Sequence, residues 1–181
     1  MIVAKVAPKG VDFVIDKIQN ALNKHLNWTN YTCNHRAYKN EKEGAIIAEL
    51  YTRNGNYTDC LFDDKLDASS FFLVDDSKKI KDGVIIQSVS IIFQLKLNKQ
   101  YQTVQHRADE EAHNDVYNAL RNAGYGTYID AIITGASNVY NDLKLGTDWV
   151  DLYKFDISSK HIFKVDLKLR YSVSNCNTYI H

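Results

Sequence analysis

The chain has 181 residues, 45% of them hydrophobic and 24% charged, and its 22 Lys and Arg balance 22 Asp and Glu for a formal net charge of zero. That length suits one domain with a sizeable core, and that composition excludes a disordered chain. The balanced charge excludes a global field that would draw the protein onto nucleic acid or an anionic membrane, so any electrostatic function must be local.

Residues 1–9 read as an extended arm ending near Pro8, residues 10–173 as one domain, and residues 174–181 as a C-terminal tail. The opening MIVAKVAPKG has too short an apolar run for a secretory signal. No stretch approaches the roughly 20 apolar residues of a membrane span, so a soluble, unexported protein with no membrane partner is expected. Val11, Val14, Ile15, Ile18, Leu22 and Leu26 recur at three- and four-residue spacing and predict an amphipathic helix. From Trp28 to Lys42 the chain is polar and aromatic without a clear period, with a short strand at HRAYKN.

GAIIAELYTRNGNYTDCLF predicts a hairpin, because two strand-like runs flank Asn54-Gly55, which tolerates the positive φ of a type I′ turn. Acid then accumulates at Asp59, Asp63, Asp64, Asp67, Asp75 and Asp76 around the apolar FFLV of 71–74. Asp82-Gly83 marks a further turn, and Val84 to Leu97 predicts a long strand whose alternating set includes Val89, Ile91, Phe93 and Leu95.

Ala112, Val116, Ala119, Leu120 and Ala123 trace a second helix, with Asp109, Glu110 and Glu111 at its dipole-favoured first turn and Gly124 as its stop. Ile129, Ile132, Ile133, Ala136, Val139, Tyr140 and Leu143 keep helical spacing and predict a third helix; a strand through 129–133 is the competing reading. VDLYKFDI is strand-like, and KHIFKVDLKLRYSV alternates strictly, with His161, Phe163, Val165, Leu167, Leu169, Tyr171 and Val173 on one face. Its other face carries Lys160, Lys164, Lys168 and Arg170, interrupted by Ile162 and Asp166. The sum is an α+β domain: a mainly antiparallel sheet with an N-terminal helix and two later helices packed on one face.

Several residue sets invite a chemical reading. Asp166-Leu167-Lys168, with Asp156 ten residues earlier, resembles the PD-(D/E)xK nuclease pattern, in which carboxylates hold magnesium and a lysine assists water. No proline precedes Asp156, little chain follows Lys168, and a charged outer strand face accounts for the same letters. Glu110-x-x-His113 with His106 nearby is half of a di-iron helix motif, without the second E-x-x-H that such a bundle needs. The aspartates of 59–76 lack EF-hand spacing, and NAGYG follows a helix, the wrong context for a phosphate loop. Cys33, Cys60 and Cys176 are far apart and match neither a disulfide framework nor a zinc site, so reduced thiols are expected. Three N-x-T sequons, at Asn27, Asn30 and Asn56, are not expected to be glycosylated in an unexported chain. Twelve scattered tyrosines without an interleaved basic run fit cross-strand and interface packing better than base stacking. No cofactor, no metal site and no catalytic set emerges, so no enzyme is expected.

The order of elements carries the one family likeness. The first helix, the hairpin AIIAELYTRNGNYTDCLF, FFLVDD, the long strand, RADEEAHNDVYNAL, YIDAIITGASNVY and HIFKVDLKLRYSV together resemble, over roughly residues 10–173, the tail-terminator and tail-completion proteins of tailed bacteriophages. That resemblance implies a non-catalytic virion protein assembled in the host cytoplasm as a ring of six or twelve copies. It implies contacts with portal, connector or tail proteins, and DNA only as cargo passing through the lumen. A basic strand departs from the acidic or mixed lumen usual in such rings. Within a ring, the acidic Asp63, Asp64, Asp67, Asp75 and Asp76 and the basic Lys160, Lys164, Lys168 and Arg170 form the two unlike, complementary patches that a head-to-tail subunit interface requires. The alternatives are a non-viral protein-binding adaptor module and the magnesium nuclease.

Overall fold

The computed structural model describes residues 1–42, 44–52, 56–60, 63–104, 107–124, 127–135, 138–139 and 160–172. They form an α+β domain with helices α1 (Val11–His25), α2 (Leu97–Gln100) and α3 (Asp109–Arg121). The strands are β1 (Tyr31–Lys42), β2 (Ala45–Tyr51), β3 (Tyr57–Asp59), β4 (Ala68–Val74), β5 (Lys79–Lys81), β6 (Val84–Leu95), β7 (Thr127–Thr134) and β8 (His161–Ser172). They make one sheet in the order β3-β2-β1-β4-β6-β8-β7, with β5 paired to the start of β6. All pairings are antiparallel except that of β1 with β4.

The main core lies between the sheet and helices α1 and α3. The apolar stripe of α1 is buried, Ile15, Ile18 and Leu22 completely, as are Ala112, Val116, Ala119 and Leu120 of α3. Opposite them stand Val89, Ile91, Phe93 and Leu95 of β6 and Phe163, Val165, Leu167 and Leu169 of β8. Because successive strand side chains alternate, one residue's step reverses the face. Phe71, Ile92 and Ile162 therefore point the other way, into a second, smaller core with Ala48, Leu50, Cys60 and Val139. The long central strands β6 and β8 are thus covered on both faces near Leu95 and His161.

The sequence reading holds for α1, α3, the β2–β3 hairpin and the long strand, and the turn Asn54-Gly55 lies outside the described residues. Asp82 and Gly83, at φ 52° and 76°, make the tight turn between β5 and β6. Two elements differ. Residues 127–134 are strand β7, paired with β8 from Thr127↔Leu169 to Thr134↔Phe163, where helical spacing predicted a helix. A short apolar run satisfies both periods, and the edge of β8 offers backbone partners that an isolated helix would forgo. Among the described residues of the predicted third helix, helical backbone occurs at 138–139, and the rest of that helix after Gly135 and VDLYKFDI lie outside the described residues. β1 is twelve residues long instead of a short strand; a bulge between Cys33 and Arg36 breaks its alternation and hid it from the pattern.

Among the described residues no helix is long and apolar enough to cross a membrane.

Candidate functional site: the charged strand, the acidic segment and the sheet ends

The pleat of β8 puts Lys164, Asp166, Lys168 and Arg170 on the face away from α1 and α3, as expected, but they do not form a uniform solvated row. Lys164 is only 6% exposed and lies 3.8 Å from Asp166, whose Oδ1 also accepts a hydrogen bond from Ser90 Oγ. An ammonium taken out of water requires such partners. The second core, built partly on the neighbouring Ile162, is what covers this end of the strand. Lys168 is half-exposed and reaches both oxygens of Asp130, at 3.0 and 2.9 Å. Asp130 is the extra residue of a bulge in β7, between Ile129 and Ala131. Arg170 is exposed.

The acidic segment meets this strand within the same chain. Lys160 Nζ lies 2.7 Å from Asp64 Oδ1, and that contact holds the Asp64 carboxyl below the usual carboxylate range. Lys96 adds to the junction, 2.9 Å from the Asp64 carbonyl oxygen and 3.8 Å from Asp67. The other acids have local roles. Asp63 accepts from the Lys65 backbone N–H at 2.9 Å, and Asp76 pairs with Lys39 at 2.8 Å. Asp75 accepts from the backbone N–H and hydroxyl of Ser77, which lowers its pKa. Of the nine residues singled out from the sequence, only Lys160 and Asp64 are brought into contact with each other across the two patches.

Two buried titratable sets escaped the sequence reading. His113 of α3 and His161 of β8 bring their Nε2 atoms to 3.0 Å, packed against the Phe163 ring. Burial, and secondarily the neighbouring His113, push His161 down to about 4. Glu110 stands 3.7 Å from His113 Nδ1, and His106 is outside the described residues. Among the described residues no three His, Cys, Asp or Glu gather as a metal would need. The second set lies where β1 bulges: Asp12 is buried, Arg36 Nε is 2.9 Å from its Oδ1, Lys5 pairs with its Oδ2, and His35 is buried nearby with neither ring nitrogen hydrogen-bonded. Burial lowers the His35 pKa. A bulge places two successive side chains on one face, which an alternation pattern cannot foresee.

For the nuclease reading, Asp166 is engaged by Ser90 and Lys164, and Asp156 is outside the described residues. A groove of about 550 Å³ opens beside this face, lined among others by Lys39, Leu73, Asp76, Ser88 and Ser90.

The two ends of the sheet share a different property. At one end Tyr51 and Tyr57 are each 44% exposed and pack edge-on, with ring centroids 5.5 Å apart. At the other, β7 alternates half-buried and exposed residues and shows Tyr128 (64%) and Ile132 (37%) to the outside.

No protein-family model and no curated protein matches the chain.

Proposed function

We propose that the protein is a structural subunit that assembles with copies of itself into a ring, as expected of a tail-terminator or neck-connector protein of a tailed phage, and that it carries out no catalytic step. The observation that supports this reading is the pair of unlike exposed edges, Tyr51 with Tyr57 at β2–β3 and, on opposite faces of β7, Tyr128 and Ile132. A head-to-tail contact needs two different patches on one subunit, and such contacts close into a ring when the rotation per copy divides a full turn. Exposed aromatics are the residues interfaces favour, because they bury large area for little rotamer entropy. Lys168 and Arg170 then flank the contact instead of forming its core. Portal, connector or tail proteins would stack above and below, with DNA passing through as cargo.

The test is light scattering on purified protein. Wild type should form an oligomer that dissociates in Tyr57→Glu and in the double variant Tyr128→Glu/Ile132→Glu. A mixture of the two variants, each keeping one good end, should stop at a heterodimer. A wild type that stays monomeric across micromolar to millimolar concentration overturns the ring. That outcome would favour a non-viral adaptor, for which the groove beside Lys39 and Ser88 is the supporting feature.

A further inference from the structure

β2 pairs with β1 only from Ala37 to Lys42, which leaves the first half of β1 open on that side. The N-terminal arm fills the opening. Ile2 forms a parallel bridge with Cys33, the Cys33 N–H donates to the Met1 carbonyl at 2.9 Å, and the Val3 N–H donates to the Cys33 carbonyl at 3.0 Å. From α1, Gln19 Nε2 donates to the Val3 and Cys33 carbonyls at 3.2 and 3.1 Å, and Lys5 pairs with buried Asp12. The arm is held by backbone bonds, the Gln19 amide, an ion pair and the half-buried Ile2 and Val3, while Met1 is 65% and Val6 92% exposed. Backbone pairing of this kind is indifferent to which chain supplies the strand.

The connection from arm to helix is where this closed form is unfavourable. Ala7 has φ 48°, and it immediately precedes Pro8. A left-handed conformation is disfavoured for a residue with a Cβ, and the residue before a proline is restricted to extended backbone. Opening the connection at Ala7 relieves both, and short strained hinges favour exchange of the segment they tether.

We propose that residues 1–6 are an exchange arm, which leaves its own β1 and docks in the same slot of a second copy of this chain, clasping neighbours together. The inference rests on the reading that copies associate. The occupant is specified because the slot already fits this segment, down to the Lys5–Asp12 pair, and another copy presents the identical segment.

The experiment compares full-length wild type, Ala7→Gly and Ala7→Val by light scattering over a concentration series, with circular dichroism to verify folding. Glycine accepts the positive φ and should favour the closed arm, weakening association by about tenfold, the scale set by the left-handed penalty of an L-residue. Valine should strengthen it. A third protein lacking residues 1–6 should associate more weakly than wild type. If wild type associates but Ala7→Gly and Ala7→Val leave the distribution unchanged, arm exchange is overturned while the ring reading stands. If wild type and Ala7→Val are both monomeric throughout, both are overturned.

Discussion

His161 shows how a residue's place in the fold reverses what its type suggests. Its strand position on the apolar face was legible from alternation, but its partner, His113, comes from a helix 48 residues away. With its Nε2 3.0 Å from that of His113 in a buried site, a charge on His161 is poorly solvated and disfavoured. The sign of the pH dependence follows. With the folded pKa pushed down to about 4, the unfolded chain binds a proton first as pH falls through the ordinary histidine range near 6.5, so stability is full above that range and declines between pH 6.5 and 4. Buried His35, also lowered, acts in the same direction, while Asp109 and Glu110 near the pair partly offset its charge. Urea denaturation at pH 7 and pH 4.5 should differ by about 1–2 kcal/mol from this pair after solvent screening, and His161→Asn should flatten the difference. An unchanged profile in the variant would count against the pair as the cause. The thiols give a second test. Cys33 is fully buried and burial raises its pKa, and the Cys60 thiol is pushed up to about 12. Thiolates, not thiols, react, so native protein treated with iodoacetamide at neutral pH should remain unmodified at both positions until denaturant is added, as mass spectrometry would show.

Elements differ in how strongly their residues hold them. Phe93 of β6 stacks on Phe163 of β8 at 5.0 Å and receives the edge of Trp28 at 6.0 Å, joining two central strands to the turn after α1. Phe93→Ala should destabilise the domain by about 3–5 kcal/mol in denaturant melts. The Lys168–Asp130 pair joins β8 to β7 on a half-exposed surface, so Asp130→Ala should cost less than about 1 kcal/mol. A larger loss would mean that the bulge itself, and not its ion pair, fixes the position of β7. The helices were legible because each buries one stripe against one sheet, the condition under which a 3.6-residue period is faithful. β7 was not, since three isoleucines within five residues fit either period until β8 supplies a partner edge. Nor was β1, whose bulge moves His35 and Arg36 beside Asp12 and interrupts the alternation by which strands are recognised.

On the scale of the whole molecule, zero net charge takes on a more specific meaning. The acidic segment and the cationic strand were expected to meet between subunits, yet Lys160–Asp64, Lys168–Asp130 and Lys164–Asp166 satisfy much of that charge inside one chain. The association proposed through the exposed sheet edges should therefore respond weakly to salt: raising NaCl from 0.1 to 1 M, which shortens the screening length to about 3 Å, should leave any oligomer that forms largely intact in sedimentation runs. Dissociation by salt would return the interface to Lys168, Arg170 and the exposed aspartates. The α+β class and the faces of α1, α3 and β8 were legible in the chain, because these depend on local period and residue type. Which charges are partnered, where the histidines meet, where the arm docks and what the described sheet edges expose came from the folded arrangement. Those depend on strand order and register, which bring together residues far apart in the chain, and no local pattern encodes them.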